Sequence, residues 1–113
     1  MTFHEAESVF GDVVKATAGD EALRPLYREF LLLAVRYARA RTDWRLALVD
    51  ERRAMDAERS TSHNALIDAS NILSRACGRA GRPNDWRRKL GEDRKDIGDF
   101  ACHVHAILGV EAR

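Results

Sequence analysis

An all-α fold is predicted by three observations on this 113-residue chain. Neither glycine nor proline occurs between Pro25 and Gly78, whereas Gly78, Gly81, Pro83, Asn84 and Gly91 crowd into fourteen residues, so a long helical stretch precedes a loop. Apolar residues recur at steps of three and four through most of the chain. No segment alternates apolar and polar residues in the manner of a strand. Four helices result, and the expected architecture is a single domain, 1–113, folded as a four-helix antiparallel bundle.

The first helix opens on a capping box, Thr2 with Glu5 three residues on, each able to satisfy the other's exposed backbone N–H. Ala6, Val9, Phe10, Val13, Val14 and Thr17 mark its apolar face, and Gly19 stops it.

Helix two carries a heptad seam: Leu23, Leu26, Phe30, Leu33, Tyr37, Ala40, Trp44 and Ala47. The seam runs through Thr42 and predicts an end near Leu48 to Asp50, giving a helix roughly 37 Å long. Within it, Phe30 to Val35 is apolar on every side, and a helix packed on one neighbour needs only one such face. Helix two is therefore expected to be central in the monomer and to offer Phe30, Leu33, Tyr37 and Trp44 as contacts in a homo-oligomer, most simply a dimer. No glycine or proline forces a turn near Asp50, and a continuous helix there would make the bundle a swapped dimer.

Helix three has its own seam, Met55, Arg59, Ser62, Leu66, Ala69, Leu73, Ala76 and Ala80. Its first half, Asp50 to Asn64, is nearly all polar, so it must be exposed or its polar groups must meet partners. Arg52 with Asp56 and Asp56 with Arg59 stand at helical spacing for ion pairs. After the loop, Asp85 to Leu90 predicts a short turn carrying Trp86. The last helix is expected from Glu92 to Leu108, with Glu92, Asp93 and Asp96 at its positive end, a stripe of Ile97, Phe100, Ala101, Val104 and Leu108, and Gly109 as its stop.

The formal charge of +1 sets up no bulk field for a polyanion. It is a cancellation, with residues 1–20 acidic and 61–90 basic. The longest apolar run, Phe30 to Val35, falls far short of the roughly 20 residues a membrane span requires, and the start lacks a signal peptide's basic and apolar regions. Cys77 and Cys102 are too few for a disulfide scaffold and lack CxxC spacing, so reduced, buried thiols and a cytoplasmic location are expected.

His63, Asn64, Asn71 and Arg75 project along one polar edge of helix three. With Asp99 they form a candidate small-ligand site in which the histidine exchanges a proton or bonds the ligand while the amides orient it. The competing reading is that these groups bond across helices and fix packing register. Asp99 and His103 lie at i, i+4, but no metal motif accompanies them, and His103 and His105 point about 200° apart on a helix. No nucleophile stands beside a base, no glycine-rich phosphate loop occurs, and no catalytic residue, metal or cofactor is assigned.

Arg82, Trp86, Arg87, Arg88 and Lys89 form the candidate nucleic-acid segment, guanidinium groups for phosphate around an indole for stacking. Nearby Arg75 and Arg79 fall at a helix C-terminus, where cations are stabilising in any case. The acidic stretches of the chain favour internal ion pairs for this patch over nucleic acid.

Arg59 to Arg75 (RSTSHNALIDASNILSR), Trp86, Leu90-Gly91 and Asp93 to Ala101 (DRKDIGDFA) together resemble a bacterial domain-of-unknown-function family of short helical proteins. The resemblance covers the C-terminal half, attaches no activity, and implies that these helices pack together. Its polar signature falls on His63, Asn64, Asn71, Arg75, Asp93, Arg94 and Asp99. The expectation that results is a self-associating helical interaction module without catalytic activity, with nucleic-acid binding at Arg82 to Lys89 and a small-ligand site near His63 as alternatives.

Overall fold

The computed structural model describes residues 1–111. Their regular elements are all helical: α1 (Phe3–Thr17), α2 (Arg24–Leu46), α3 (Val49–Arg79), α4 (Trp86–Leu90) and α5 (Arg94–Glu111). The expected set of four thus becomes five, because the Trp86 segment is a short helix of its own.

Local chemistry explains most boundaries. Thr2 Oγ1 accepts from the Glu5 backbone N–H at 3.1 Å, capping α1. Gly19 takes φ +71°, a left-handed conformation that ends the helix cheaply only for glycine. Asp20 then accepts from the N–H groups of Ala22 and Leu23 at 2.9 and 3.1 Å and leads the chain into α2, whose first turn holds Pro25. At the far end of α3, Arg82 N–H reaches Cys77 O at 2.8 Å and Gly81 N–H reaches Gly78 O at 3.1 Å, a Schellman closure around Gly81 at φ +72°.

Two boundaries differ from expectation. Helix α2 stops at Leu46, short of Leu48, because Ala47 and Leu48 are both extended (ψ 152° and 153°) and reverse the chain without needing a left-handed residue. Arg52 fixes this turn by donating to the carbonyls of Trp44 and Arg45 at 3.1 and 3.2 Å, two of the acceptors a helix end leaves unpaired. The result is an intrachain α2–α3 hairpin, not the continuous rod that a swapped dimer requires. Gly109 lies inside α5 and does not end it; one interior glycine costs about 1 kcal/mol, too little to break a helix.

Helix α2 is the centre. It packs along α3 on one side and α5 on the other, α1 packs on α5, and α4 bridges α1 and α3. The long helices therefore do not close on one another as a simple four-helix bundle. Phe30 of α2 is fully buried, stacked on Phe100 and tilted against Trp86, each at a centroid distance of 5.9 Å. Around these rings lie Leu66, Leu73 and Cys77 of α3, Ala6, Val9 and Val13 of α1, Leu90 of α4, and Ile97 and Val104 of α5. Val14, expected on the α1 core face, stays largely exposed, and Ala16 is buried.

Past this core the hairpin continues as an arm: no residue from Arg41 to Thr61 is buried, and the molecule extends 48 Å along its longest axis. Polar contacts hold the arm. Arg36 and Glu58 make a two-bond pair at 2.7 and 3.0 Å, and the Trp44 indole N–H donates to Asp56 at 2.9 Å. The guanidinium groups of Arg52 and Arg59 lie 4.5 and 4.0 Å from the Trp44 ring centroid.

Candidate functional site

Where α2, α3 and the start of α5 meet, the fold leaves a cleft of about 280 Å³. Arg41 and Arg45 reach it from α2, Arg59 from α3, and Arg94 and Lys95 from α5; Tyr37 and Trp44 form apolar parts of its wall. Helical spacing places these groups together: Tyr37, Arg41 and Arg45 succeed one another at i+4, and Arg94 and Lys95 occupy the first turn of α5. Asp93 caps that turn, accepting from the Lys95 and Asp96 N–H groups at 2.7 and 3.4 Å, and so fixes where both cations stand.

Six cations, the Met1 α-amine included, meet three carboxylates here, Asp56, Asp96 and Asp99. Asp99 takes Arg41 at 3.0 Å, Lys95 at 3.2 Å and the Met1 α-amine at 2.9 Å; the amine also donates to Asp96 at 2.8 Å. Burial pushes the Asp99 carboxyl up, but hydrogen bonds from the Met1 amine, Lys95 and Arg41 outweigh it and hold the group well below the usual carboxylate range. The bonds the Met1 amine donates to Asp96 and Asp99, that to Asp96 foremost, raise it above its ordinary value. Asp56 is shared between Arg59 at 3.4 Å and the Trp44 indole. Arg45 and Arg94 have no carboxylate among the described residues; Arg94 donates only to the Ser60 hydroxyl, at 3.2 Å.

Two nitrogens in this region are buried without a partner among the described residues, Arg59 Nε and His63 Nε2. They belong to residues one turn apart on α3, on the same face. The His63 ring meets Tyr37 edge-on at 5.4 Å, and its Nδ1 lies 3.4 Å from Asn64 Oδ1.

The sequence-predicted ligand set is divided. His63 and Asp99 belong to this region, and Asn64 is exposed beside His63. Asn71 is elsewhere, accepting from Arg87 Nε at 2.7 Å, and Arg75 faces solvent. The polar edge of α3 is simply too long for its two ends to serve one small ligand.

The nucleic-acid segment does not form the expected platform. Trp86 is wholly buried against Phe30, out of reach of a base. Arg87 is nearly nine-tenths buried and locked onto Asn71, the Gly91 carbonyl and Glu92, and Lys89 pairs with Asp12 and Asp85. Arg88 is exposed and Arg82 half-buried, two cations without the stacking surface that would join them into a site. The expected oligomer contacts also separate. Phe30 and Tyr37 are sealed in the chain's own core, while Leu33 and Trp44 are half-buried. Of the thiols, Cys77 is buried and free, its burial pushing the thiol up, and Cys102 is only half-buried.

Sequence reasoning passed over Arg41, Arg45 and Lys95, and placed Arg59 on a seam while pairing it with Asp56. That placement was itself the signal: a guanidinium at a core-facing seam position has to find partners, and Arg59 finds Trp44 and Asp56.

Fold and site together define an all-helical protein with a cationic cleft at a three-helix junction. No family model matches the chain, and neither the curated proteins nor the solved structures yield a significant match.

Proposed function

We propose that this protein is a helical binding module that takes a small anionic ligand in the cleft between α2, α3 and α5. The carrying observation is the surplus of cations there, with Arg45 and Arg94 facing the cleft without a carboxylate among the described residues. Most side chains that line it are cationic donors, and donors converging on a small recess bind an anion. The volume suits a small ligand and falls just below the range of about 300 to 1,000 Å³ usual for small-molecule sites. Free thiols at Cys77 and Cys102 agree with a cytoplasmic, reducing setting.

Titration with citrate, sulfate and phosphate at fixed ionic strength, followed by tryptophan fluorescence and calorimetry, tests this. Saturable binding that is lost in Arg45→Glu and Arg94→Glu is expected. Binding unaltered by both substitutions, or none at all, overturns it.

Self-association is the second reading. It draws on the end of the arm, where Leu46, Leu48 and Val49 are 81, 70 and 78% exposed.

A further inference from the structure

Resting on the anion-binding reading, we infer that the ligand's anionic group is a dianionic phosphate monoester carried on a small molecule. Charge and donor geometry both select it. Arg45 and Arg94 are free of carboxylates among the described residues, and Arg41, Arg59 and Lys95 each share one, so the cleft carries more than one uncompensated positive charge. A carboxylate or a phosphodiester supplies a single negative charge; a phosphate monoester near neutral pH supplies close to two.

The donors come from three directions, α2, α3 and α5. A planar carboxylate presents two oxygens in one plane and suits one guanidinium fork. A monoester presents three free oxygens around a tetrahedral centre, one for each wall of this cleft.

The walls also restrict the rest of the ligand, beyond its phosphoryl group. The Trp44 ring is covered by the guanidinium groups of Arg52 and Arg59, and Tyr37 is 3% exposed, so neither offers a free face on which a chain of bases would stack. That favours a compact phosphomonoester over a nucleic-acid backbone.

Calorimetry of the full chain at low ionic strength and pH 7.5 separates the cases, using methyl phosphate, dimethyl phosphate, methyl sulfate and acetate as probes. Methyl phosphate is expected to bind about tenfold or more tighter than the other three, and to lose that preference in Arg94→Glu and, separately, in Arg59→Gln. Circular dichroism confirms that each variant is folded. Dimethyl phosphate, methyl sulfate or acetate binding as tightly as methyl phosphate overturns the monoester assignment while leaving anion binding intact. Failure of every probe to bind overturns both. A monoester preference unchanged in both variants places the site elsewhere and also overturns the assignment.

Discussion

Gly98 and Arg41 fit each other across the α2–α5 interface: a Cβ at position 98 would stand 2.5 Å from Arg41 Nη1 and 3.0 Å from its Cζ. The missing side chain is what lets the guanidinium lie against α5 and reach Asp99 at 3.0 Å. In Gly98→Ala the flexible end of Arg41 has to move, while α5 itself gains about 1 kcal/mol of helix propensity. The expected outcome is a melting temperature within about 5 °C of the wild type and an affinity of the cleft for phosphate reduced by about tenfold. Thermal melts read alongside calorimetry check this. An unchanged affinity would show that Arg41 in its present position is not part of the binding set.

Asp99 gives the protein a specific acid sensitivity. Its carboxyl is held below its ordinary value of 3.8, so its contribution to stability is complete above that value and disappears as pH falls through the folded-state value. The Met1 amine is raised above 8.0, so its share is complete below 8.0 and fades as pH climbs beyond. Asp99→Asn should lower stability at neutral pH by about 2 kcal/mol, the scale of hydrogen bonds to a charged group, and flatten the stability profile between about pH 5 and pH 2. Urea midpoints measured across that range are the check, and parallel profiles for wild type and variant would refute the assignment.

How much of this was legible beforehand divides by the range of the interaction. Local signals read correctly: the Thr2 cap, the Gly19 stop and the glycine-poor helical stretch all depend on residues within a turn of one another. The turn at Ala47 and Leu48 left no mark because extended backbone is open to any residue. Periodicity placed Phe30 and Tyr37 on a seam but could not say whether the neighbour filling it was this chain or a second copy. The cleft was least legible of all. It needs α2 to bring Arg41 and Arg45 against the first turn of α5, and no spacing along a single helix encodes that meeting.

Phe30 and Trp44 occupied the same seam in the sequence, and the structure separates them energetically. Phe30 has no exposed surface and two aromatic neighbours, so Phe30→Ala should cost about 3 to 5 kcal/mol. Trp44 is half-buried on the arm against two guanidinium groups and bonded to Asp56, so Trp44→Ala should cost about 2 kcal/mol, the scale of two exposed cation–π contacts and one hydrogen bond. Chemical denaturation of the two variants measures the gap. Equal losses would mean that the arm is as tightly integrated as the core.

The arm also bears on assembly. Leu46, Leu48 and Val49 stand 81, 70 and 78% exposed at its end, beyond the last buried residue of the hairpin, and burying large apolar side chains stabilises an interface by about 1.5 to 3 kcal/mol each when complete. Tip-to-tip pairing of two copies would cover all three without disturbing the core, because the contacts of Arg52 and Arg59 with Trp44 already hold the arm in shape. Light scattering is expected to give a mass that rises above 12.8 kDa with concentration. Replacing Leu46 and Leu48 by Gln should return it to the monomer while leaving anion binding and the thermal melt in place. A wild-type mass that stays at 12.8 kDa at every concentration tested removes self-association from the account.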